Sequence, residues 1–69
     1  MQITSTLTAN VWKILVTKGQ DVREGDQLMI LESMKMEIPV EATISGRITE
    51  IHCGEGEQVD EGQNLLTIG

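Results

Sequence analysis

The apolar residues of this chain fall in short runs rich in β-branched side chains, separated by polar segments that contain glycine. Such runs are typical of β-strands, and no segment has apolar residues at helical spacing over three turns behind a capping residue. Glycines in the pairs Lys18-Gly19 and Glu55-Gly56 predict tight turns with positive φ. The runs that predict strands are Val11 to Val16, Leu28 to Leu31, Ile48 to Ile51 and Leu65 to Ile68.

An internal repeat relates the two halves of the sequence at an offset of 37 residues. The offset aligns residues 19–28 with residues 56–65, and five of these ten aligned positions are identical. The similarity extends over residues 9–31 and 46–68. Two copies are too few for a solenoid, which needs about three or more stacked units. The repeat therefore predicts a closed, all-β sandwich or flattened barrel with pseudo-two-fold symmetry, in which each copy supplies half of each sheet.

The segment between the two copies, Glu32 to Ser45, has no counterpart in the repeat and is predicted to contain a β-hairpin. Period-two apolar positions, Leu28-x-Ile30 and Ile38-x-Val40, flank a polar stretch whose middle is Met34-Lys35. Because this linker joins two halves related by a two-fold axis, symmetry places the hairpin tip at the pole opposite the chain ends. The tip has neither Asn-Gly nor Asp-Gly, so symmetry rather than turn chemistry supports the prediction.

Length and composition narrow the functional classes. A chain of 69 residues and 7.6 kDa is expected to form one domain, residues 1–69, with little material for a deep catalytic cleft. A net charge of −6 would repel nucleic acid and anionic membranes, so neither partner is expected. The single cysteine allows no internal disulfide. With no signal sequence or transmembrane run either, we expect a cytoplasmic location.

Several residues attract attention but are not expected to form an active or metal site. His52 and Cys53 are consecutive in a predicted strand, so their side chains would point to opposite faces and could not form a nucleophile–base pair. Two such ligands are also too few for zinc. Trp12 is expected to pack at the surface or rim, and Lys13 and Lys18 lack any distinctive flanking residues.

Lys35 is the exception, because it stands between two methionines at the predicted turn. Turn tips usually carry Gly, Asn, Asp or Ser, and departures from local rules tend to mark functional sites. The alternative is that Met34 or Met36 packs into the core and that Lys35 is an ordinary solvated charge. The position of Lys35 between the two repeat copies favours the functional interpretation.

The run Glu32-Ser33-Met34-Lys35-Met36-Glu37 resembles the attachment motif of the biotinyl domains of biotin-dependent carboxylases. The resemblance extends over most of the chain, from about Leu7 to Ile68. The short form, without a thumb insertion, is similar to the small biotin/lipoyl attachment proteins. The other stretches that match the family in order and spacing are Val22-x-x-Gly25-x-x-Leu28, Ala42-x-x-x-Gly46-x-Ile48 and Gly56-x-x-Val59-x-x-Gly62-x-x-Leu65.

This resemblance implies a flattened barrel of two four-stranded antiparallel sheets with pseudo-two-fold symmetry and no catalytic activity of its own. It implies that a biotin protein ligase joins biotin to Lys35 through an amide, and that a biotin carboxylase and a carboxyltransferase then use the attached cofactor. Met34 and Met36 would flank the site for recognition. The further candidates for contact with the ligase or other partners are Glu32, Ser33 and Glu37.

Two other functions stay open at this point. A lipoyl carrier, modified by a lipoyl ligase, would share the fold, although the lipoyl family usually has Asp-Lys-Ala at the tip where this chain has Met34-Lys35-Met36. A β-barrel adaptor that is never modified is the third alternative. The identity of the acyl acceptor does not follow from the sequence.

Overall fold

The computed structural model describes residues 1–69, and its regular structure consists of eight β-strands. It contains no helix that could span a membrane. The strands are β1 (Gln2–Thr4), β2 (Ala9–Ile14), β3 (Asp21–Val22), β4 (Gln27–Ser33), β5 (Met36–Glu41), β6 (Gly46–Ile51), β7 (Gln58–Val59) and β8 (Asn64–Ile68).

The strands form two four-stranded sheets in which every pair is antiparallel. We call the sheet with the order β1-β8-β6-β3 the terminal sheet, because it contains the first and last strands. The other, with the order β5-β4-β2-β7, is the hairpin sheet. Apolar side chains from both sheets form one buried cluster between them. The expected all-β architecture of two four-stranded antiparallel sheets is confirmed.

A pseudo-two-fold relation exchanges the two sheets, as the repeat predicts. Moving each strand of the hairpin sheet by 37 residues converts the order β5-β4-β2-β7 into β1-β8-β6-β3. The backbone hydrogen bonds follow the same rule. The Gly19 amide donates to the Ile48 carbonyl at 2.7 Å, and the Gly56 amide donates to the Val11 carbonyl at 2.7 Å. Each copy's glycine turn is therefore bound to a strand of the other copy.

The division of strands differs from the expected even split. The hairpin sheet takes β2 and β4 from the first copy, β7 from the second copy and β5 from the linker. The linker also has a structural counterpart, which the sequence comparison missed. The Gly25 amide donates to the Ala42 carbonyl, and the Gly62 amide donates to the Ser5 carbonyl in the equivalent place. The N-terminal strand β1 thus corresponds to the second half of β5, a match carried by backbone geometry rather than by side-chain identity.

The buried side chains of β4 depart from strict alternation. Leu28, Met29 and Leu31 are fully buried, whereas Ile30 is half-buried. A β-bulge between Gln27 and Met29 turns two consecutive side chains inward. Ile30, which the period-two pattern groups with Leu28, therefore lies on the outer face. The equivalent residues of β8 are also fully buried: Leu65, Leu66 and Ile68.

The chain ends lie beside each other, away from the β4–β5 hairpin. Met1 and Ile68 are joined by backbone hydrogen bonds, just as Leu31 and Ile38 are paired in the hairpin. Strand β5 runs away from the hairpin turn, and β6 begins soon after it at Gly46. Gly46 lies so close to Ile68 that a Cβ added to the glycine would be 2.6 Å from Cγ2 of Ile68. This close approach of β6 to the C-terminal strand places the chain ends at the pole opposite the hairpin, as symmetry predicts.

Candidate functional site

The β4–β5 hairpin closes with a two-residue turn formed by Met34 and Lys35. Ser33 pairs with Met36 on either side of it. The φ angles are 53° at Met34 and 64° at Lys35, and these are the chain's non-glycine residues with positive φ. Two consecutive positive φ angles are typical of a type I′ turn, which matches the twist of the flanking strands. The backbone of residues other than Gly, Asn and Asp is strained in this conformation.

The turn presents its side chains to solvent. Met34 is 91% exposed and Met36 is 64% exposed, whereas Met29 supplies the buried methionine of this strand pair. Lys35 is exposed, and its ammonium group takes part in neither of the ion pairs nor any side-chain hydrogen bond. The alternative in which a tip methionine packs into the core is wrong. The hairpin holds a primary amine at its apex, free of side-chain partners within the chain.

A row of exposed polar side chains crosses the hairpin sheet next to the turn. Glu32 lies directly opposite Glu37 on β5 and opposite Asn10 on β2, and Asn10 in turn lies opposite Gln58 on β7. Directly opposed residues of antiparallel strands project from the same face, so the two carboxylates are neighbours. Ser33, next to the turn, is half-buried. The surface beside Lys35 is therefore acidic.

No enclosed cavity opens at the apex of the hairpin. The nearest depression, of about 250 Å³, lies beside the turn and is open to solvent. Its lining is mainly polar, with Thr8, Asn10 and Gln58 facing Ser33 and Met34. A group joined to Lys35 would therefore extend outward from the barrel. The residues present therefore fit a group that is carried on the protein's surface and not enclosed by it.

Comparison with known proteins decides the family. A family model for biotin/lipoyl attachment, described as "Biotin-requiring enzyme", matches residues 1–68. The chain belongs to this family. A "Biotin/lipoyl attachment protein" of Bacillus subtilis is 41% identical to this chain over 68 residues, which cover 99% of this chain and 93% of that protein.

Other relatives of the family carry the same fold as part of a larger protein. A "Biotin carboxyl carrier protein" of Streptococcus mutans is 42% identical over 62 residues, covering 90% of this chain and 48% of that protein. The Kluyveromyces lactis urea carboxylase structure superposes with a TM-score of 0.93 at 33% identity, covering 100% of this chain and 6% of that one. The eight-strand arrangement is therefore the fold of a biotin/lipoyl attachment domain.

The two residues that suggested an active site lie apart from the hairpin of this family member. His52 and Cys53 follow β6 instead of lying within a strand, so the expected strand geometry is wrong there. The side chain of His52 is nevertheless exposed and that of Cys53 is buried. The His52 ring lies at the surface, 3.3 Å from the Thr67 hydroxyl. Cys53 is buried, and burial, with a smaller contribution from the Glu57 carboxylate, raises the pKa of its thiol. A protonated, buried thiol is a poor nucleophile.

The remaining sequence candidates also lie outside the β4–β5 hairpin. Lys18 lies in the turn with Gly19, and Lys13 lies on β2 with its ammonium 5.7 Å from the centre of the Trp12 ring. Trp12 is 44% exposed, as a surface residue is expected to be. The direct opposition of Glu32 and Glu37 was not predicted from the sequence. It depends on the number of residues in the turn, which sets the pairing register of β4 and β5.

Proposed function

We propose that residues 1–69 form a single carrier domain to which biotin is attached at Lys35 through an amide. The observation that carries the proposal is the unpartnered amine of Lys35 at the apex of an outward-facing turn, in a chain that belongs to the biotin/lipoyl attachment family. The relatives named as carboxyl carriers and carboxylases support biotin as the cofactor.

Lys35 would supply the nucleophile for attachment. Its neutral amine attacks the acyl carbon of biotinyl-adenylate, the C–N amide bond forms, the acyl–phosphate bond breaks, and AMP leaves as the amine loses a proton. No side chain is hydrogen-bonded to the Lys35 amine to accept that proton, so a biotin protein ligase would provide the base and the positioning. The chain is thus a substrate of the ligase and no catalyst itself.

Once attached, biotin supplies a ureido nitrogen that can carry a carboxyl group. The role of this chain is to hold and move the site. Lys35 contributes an unbranched four-carbon stem, and the pairing of β4 with β5 up to Ser33 and Met36 holds the turn at the end of the barrel. The exposed Met34 and Met36 give an adaptable apolar surface on both sides of the amine. Such a surface suits successive partners, which we propose are a biotin carboxylase and a carboxyltransferase.

The remaining recognition elements are the polar neighbours of the turn. Glu32 and Glu37 present two carboxylates beside Lys35, and Ser33 adjoins them. Opposite charges at protein interfaces raise association rates and help to orient the partners. We propose that these residues guide basic surfaces toward the hairpin. A lone thiol with no disulfide partner suits a reducing compartment, and we expect the carrier to act in the cytoplasm.

Intact mass tests this function directly. The chain is co-expressed with a biotin protein ligase in the presence of biotin, as wild type and as Lys35→Arg, which keeps the positive charge and removes the nucleophile. The wild type should gain the mass of one biotinyl group, and Lys35→Arg should gain none while keeping a β-type circular dichroism spectrum. Biotinylation of the variant through Lys13 or Lys18 would contradict the assignment, as would an unmodified wild type.

A lipoyl carrier is the second candidate, because the Bacillus subtilis relative is named as a biotin/lipoyl attachment protein and matches 99% of this chain. A lipoyl ligase would then acylate the same amine. We favour biotin because the two neighbours of Lys35 are apolar methionines rather than an acidic residue. The same intact-mass measurement separates the two cofactors and an unmodified adaptor.

A further inference from the structure

The outer face of the hairpin sheet carries a patch of three apolar side chains and one lysine. Lys13 lies opposite Ile30, and Ile30 lies opposite Pro39, so these three side chains form a row across β2, β4 and β5. Trp12 stands next to Lys13 at the β-bulge of β2, 44% exposed and with its ring beneath the Lys13 ammonium. We call Trp12, Lys13, Ile30 and Pro39 the Trp12 face.

The terminal sheet provides an internal comparison for this face. At the two-fold equivalent positions, Glu50 lies opposite Thr67, and Thr67 lies opposite Gln2. The residue equivalent to Trp12 is Thr49, whose hydroxyl donates to the Thr67 carbonyl. The same backbone is therefore built with polar side chains on one sheet and with a tryptophan, an isoleucine and a proline on the other. The outer face of a sheet with this backbone can therefore be built from polar side chains.

We propose that the Trp12 face is a docking surface for the biotin protein ligase, an inference that rests on the proposed attachment at Lys35. The unmodified lysine has only its own four-carbon stem with which to reach another protein's active site. A ligase must therefore approach the barrel closely, whereas a later partner meets the amine extended by the attached cofactor. Close approach brings the ligase surface against whatever adjoins the hairpin.

The area needed for recognition also points to this face. A specific interface buries about 800 Å² on each partner, which is more than a two-residue turn offers. The Trp12 face lies on the same sheet as the hairpin and, four to five strand residues from Lys35, is roughly 15 Å away. A footprint of ordinary size that is centred near the hairpin therefore includes Trp12, a residue type enriched among the energetically dominant contacts of interfaces.

Charge defines the chemistry of the partner surface. Along the outer side of the edge strand β5, Glu37 and Glu41 stand on either side of Pro39. The ligase surface that fits is basic where it meets Glu37 and Glu41, and mainly apolar where it meets Trp12, Ile30 and Pro39, with room for the Lys13 ammonium that lies over the Trp12 ring. A second copy of this chain fits less well, because it would bring the same carboxylates against each other. Pro39 has no N–H to offer at the edge of the sheet, which favours contact through side chains over addition of a strand.

Steady-state biotinylation of the unmodified chain by a purified bacterial biotin protein ligase tests this proposal. The variant is Trp12→Thr, which installs the residue found at the equivalent position 49. Its KM should rise about tenfold or more while kcat stays unchanged, as expected when a contact is equally strong in the bound and transition states. The matched control is Thr49→Ala on the terminal sheet, which should leave both constants at the wild-type values. Thermal unfolding verifies that both variants are folded.

Each other outcome overturns the docking surface. If Trp12→Thr is folded and its KM equals that of the wild type, the ligase does not use this face, although attachment at Lys35 stands. A fall in kcat alone would show that Trp12 supports the turn and not the complex. Self-association of the wild type that is lost in Trp12→Thr, measured by light scattering, would assign the face to a second copy. Failure of the wild type to be modified at Lys35 removes the proposed function together with this inference.

Discussion

Glu32 and Glu37 face each other across the β4–β5 hairpin, one residue pair away from the turn that carries Lys35. Like charges in directly opposed positions destabilise a strand pair, so the hairpin is less stable than it would be with a neutral residue at one of the two positions. Replacing Glu37 by Gln should raise the free energy of unfolding by about 0.2 to 1 kcal/mol at low salt, with the gain near the lower end because both groups are exposed.

Urea unfolding at low and high ionic strength measures this effect. The gain should diminish at high salt, because exposed charges are then screened. Glu41→Gln is the matched control, since Glu41 lies opposite the neutral Gln27 and not opposite another carboxylate. An equal gain in both variants would show that net charge, rather than the opposed pair, sets the stability.

The turn itself is predicted to be a second place where stability is lost. Met34 adopts a φ of 53°, which asparagine tolerates better than methionine. Met34→Asn should therefore stabilise the fold by about 0.5 to 1 kcal/mol, since left-handed strain of this size is roughly 1 to 2 kcal/mol per residue. Met36→Asn, in β5 and without positive φ, should bring no such gain. Equal or lower urea midpoints for Met34→Asn would refute the strain.

Much of this fold could be predicted from the spacing of glycines and valines. The two copies of the repeat pack against each other, because the equivalent turns at Gly19 and Gly56 each donate a backbone hydrogen bond to a strand of the other copy. The edge strand β1 could not be found in this way, since only backbone hydrogen bonds relate it to β5. The inward turn of both Leu28 and Met29 was also missed, because a bulge leaves no simple mark on an alternating pattern.

The site was predicted to a similar depth. The exposed Lys35 at the hairpin tip followed from symmetry and from the motif, whereas the type I′ geometry did not, because Met34 and Lys35 are not residues that this turn prefers. The Trp12 face was hidden for another reason. Its meaning depends on which side chains of β2, β4 and β5 share a face, and pairing register shows that only once the strands are in place.

The choice of cofactor is predicted to depend on the methionines that flank Lys35. Discrimination that rests on one or two side chains is worth about 1 to 3 kcal/mol, or roughly 10 to 200-fold. With biotin and lipoyl ligases and both cofactors at comparable levels, the wild type should carry biotin in large excess. Met34→Asp combined with Met36→Ala should move the balance toward lipoate. Intact mass gives the ratio, and a wild type that is mostly lipoylated would refute the role assigned to the methionines.

The buried thiol of Cys53 predicts a pH dependence of stability. Burial raises its pKa above the ordinary value of 9.0, so the folded chain holds this proton at a pH where the unfolded chain releases it. The contribution of Cys53 is therefore complete below about pH 9, the unfolded-state pKa, and is lost as the pH rises through the higher pKa of the folded state.

Cys53→Val isolates this effect, because Val16 is buried at the equivalent position of the first copy. Between about pH 8 and about pH 10, the wild type should lose more stability than the variant, as followed by urea unfolding under reducing conditions. Groups common to both proteins, the lysines included, cancel in the difference. Parallel pH profiles for the two proteins would show that the thiol does not couple to folding.

The hydrogen-bonded pairing of Met1 with Ile68 has a mechanical consequence for carriers of this shape. The chain ends lie at one pole and Lys35 at the other of a body 31 Å long. A polypeptide fused to either end would be attached to the barrel at the pole opposite Lys35. The length of the domain then adds to the length of the linker, so Lys35 reaches a larger volume than the end of the linker alone. Tethering of this kind sets an effective concentration of the lysine at every active site within that radius, and linker length adjusts it without any change in the hairpin.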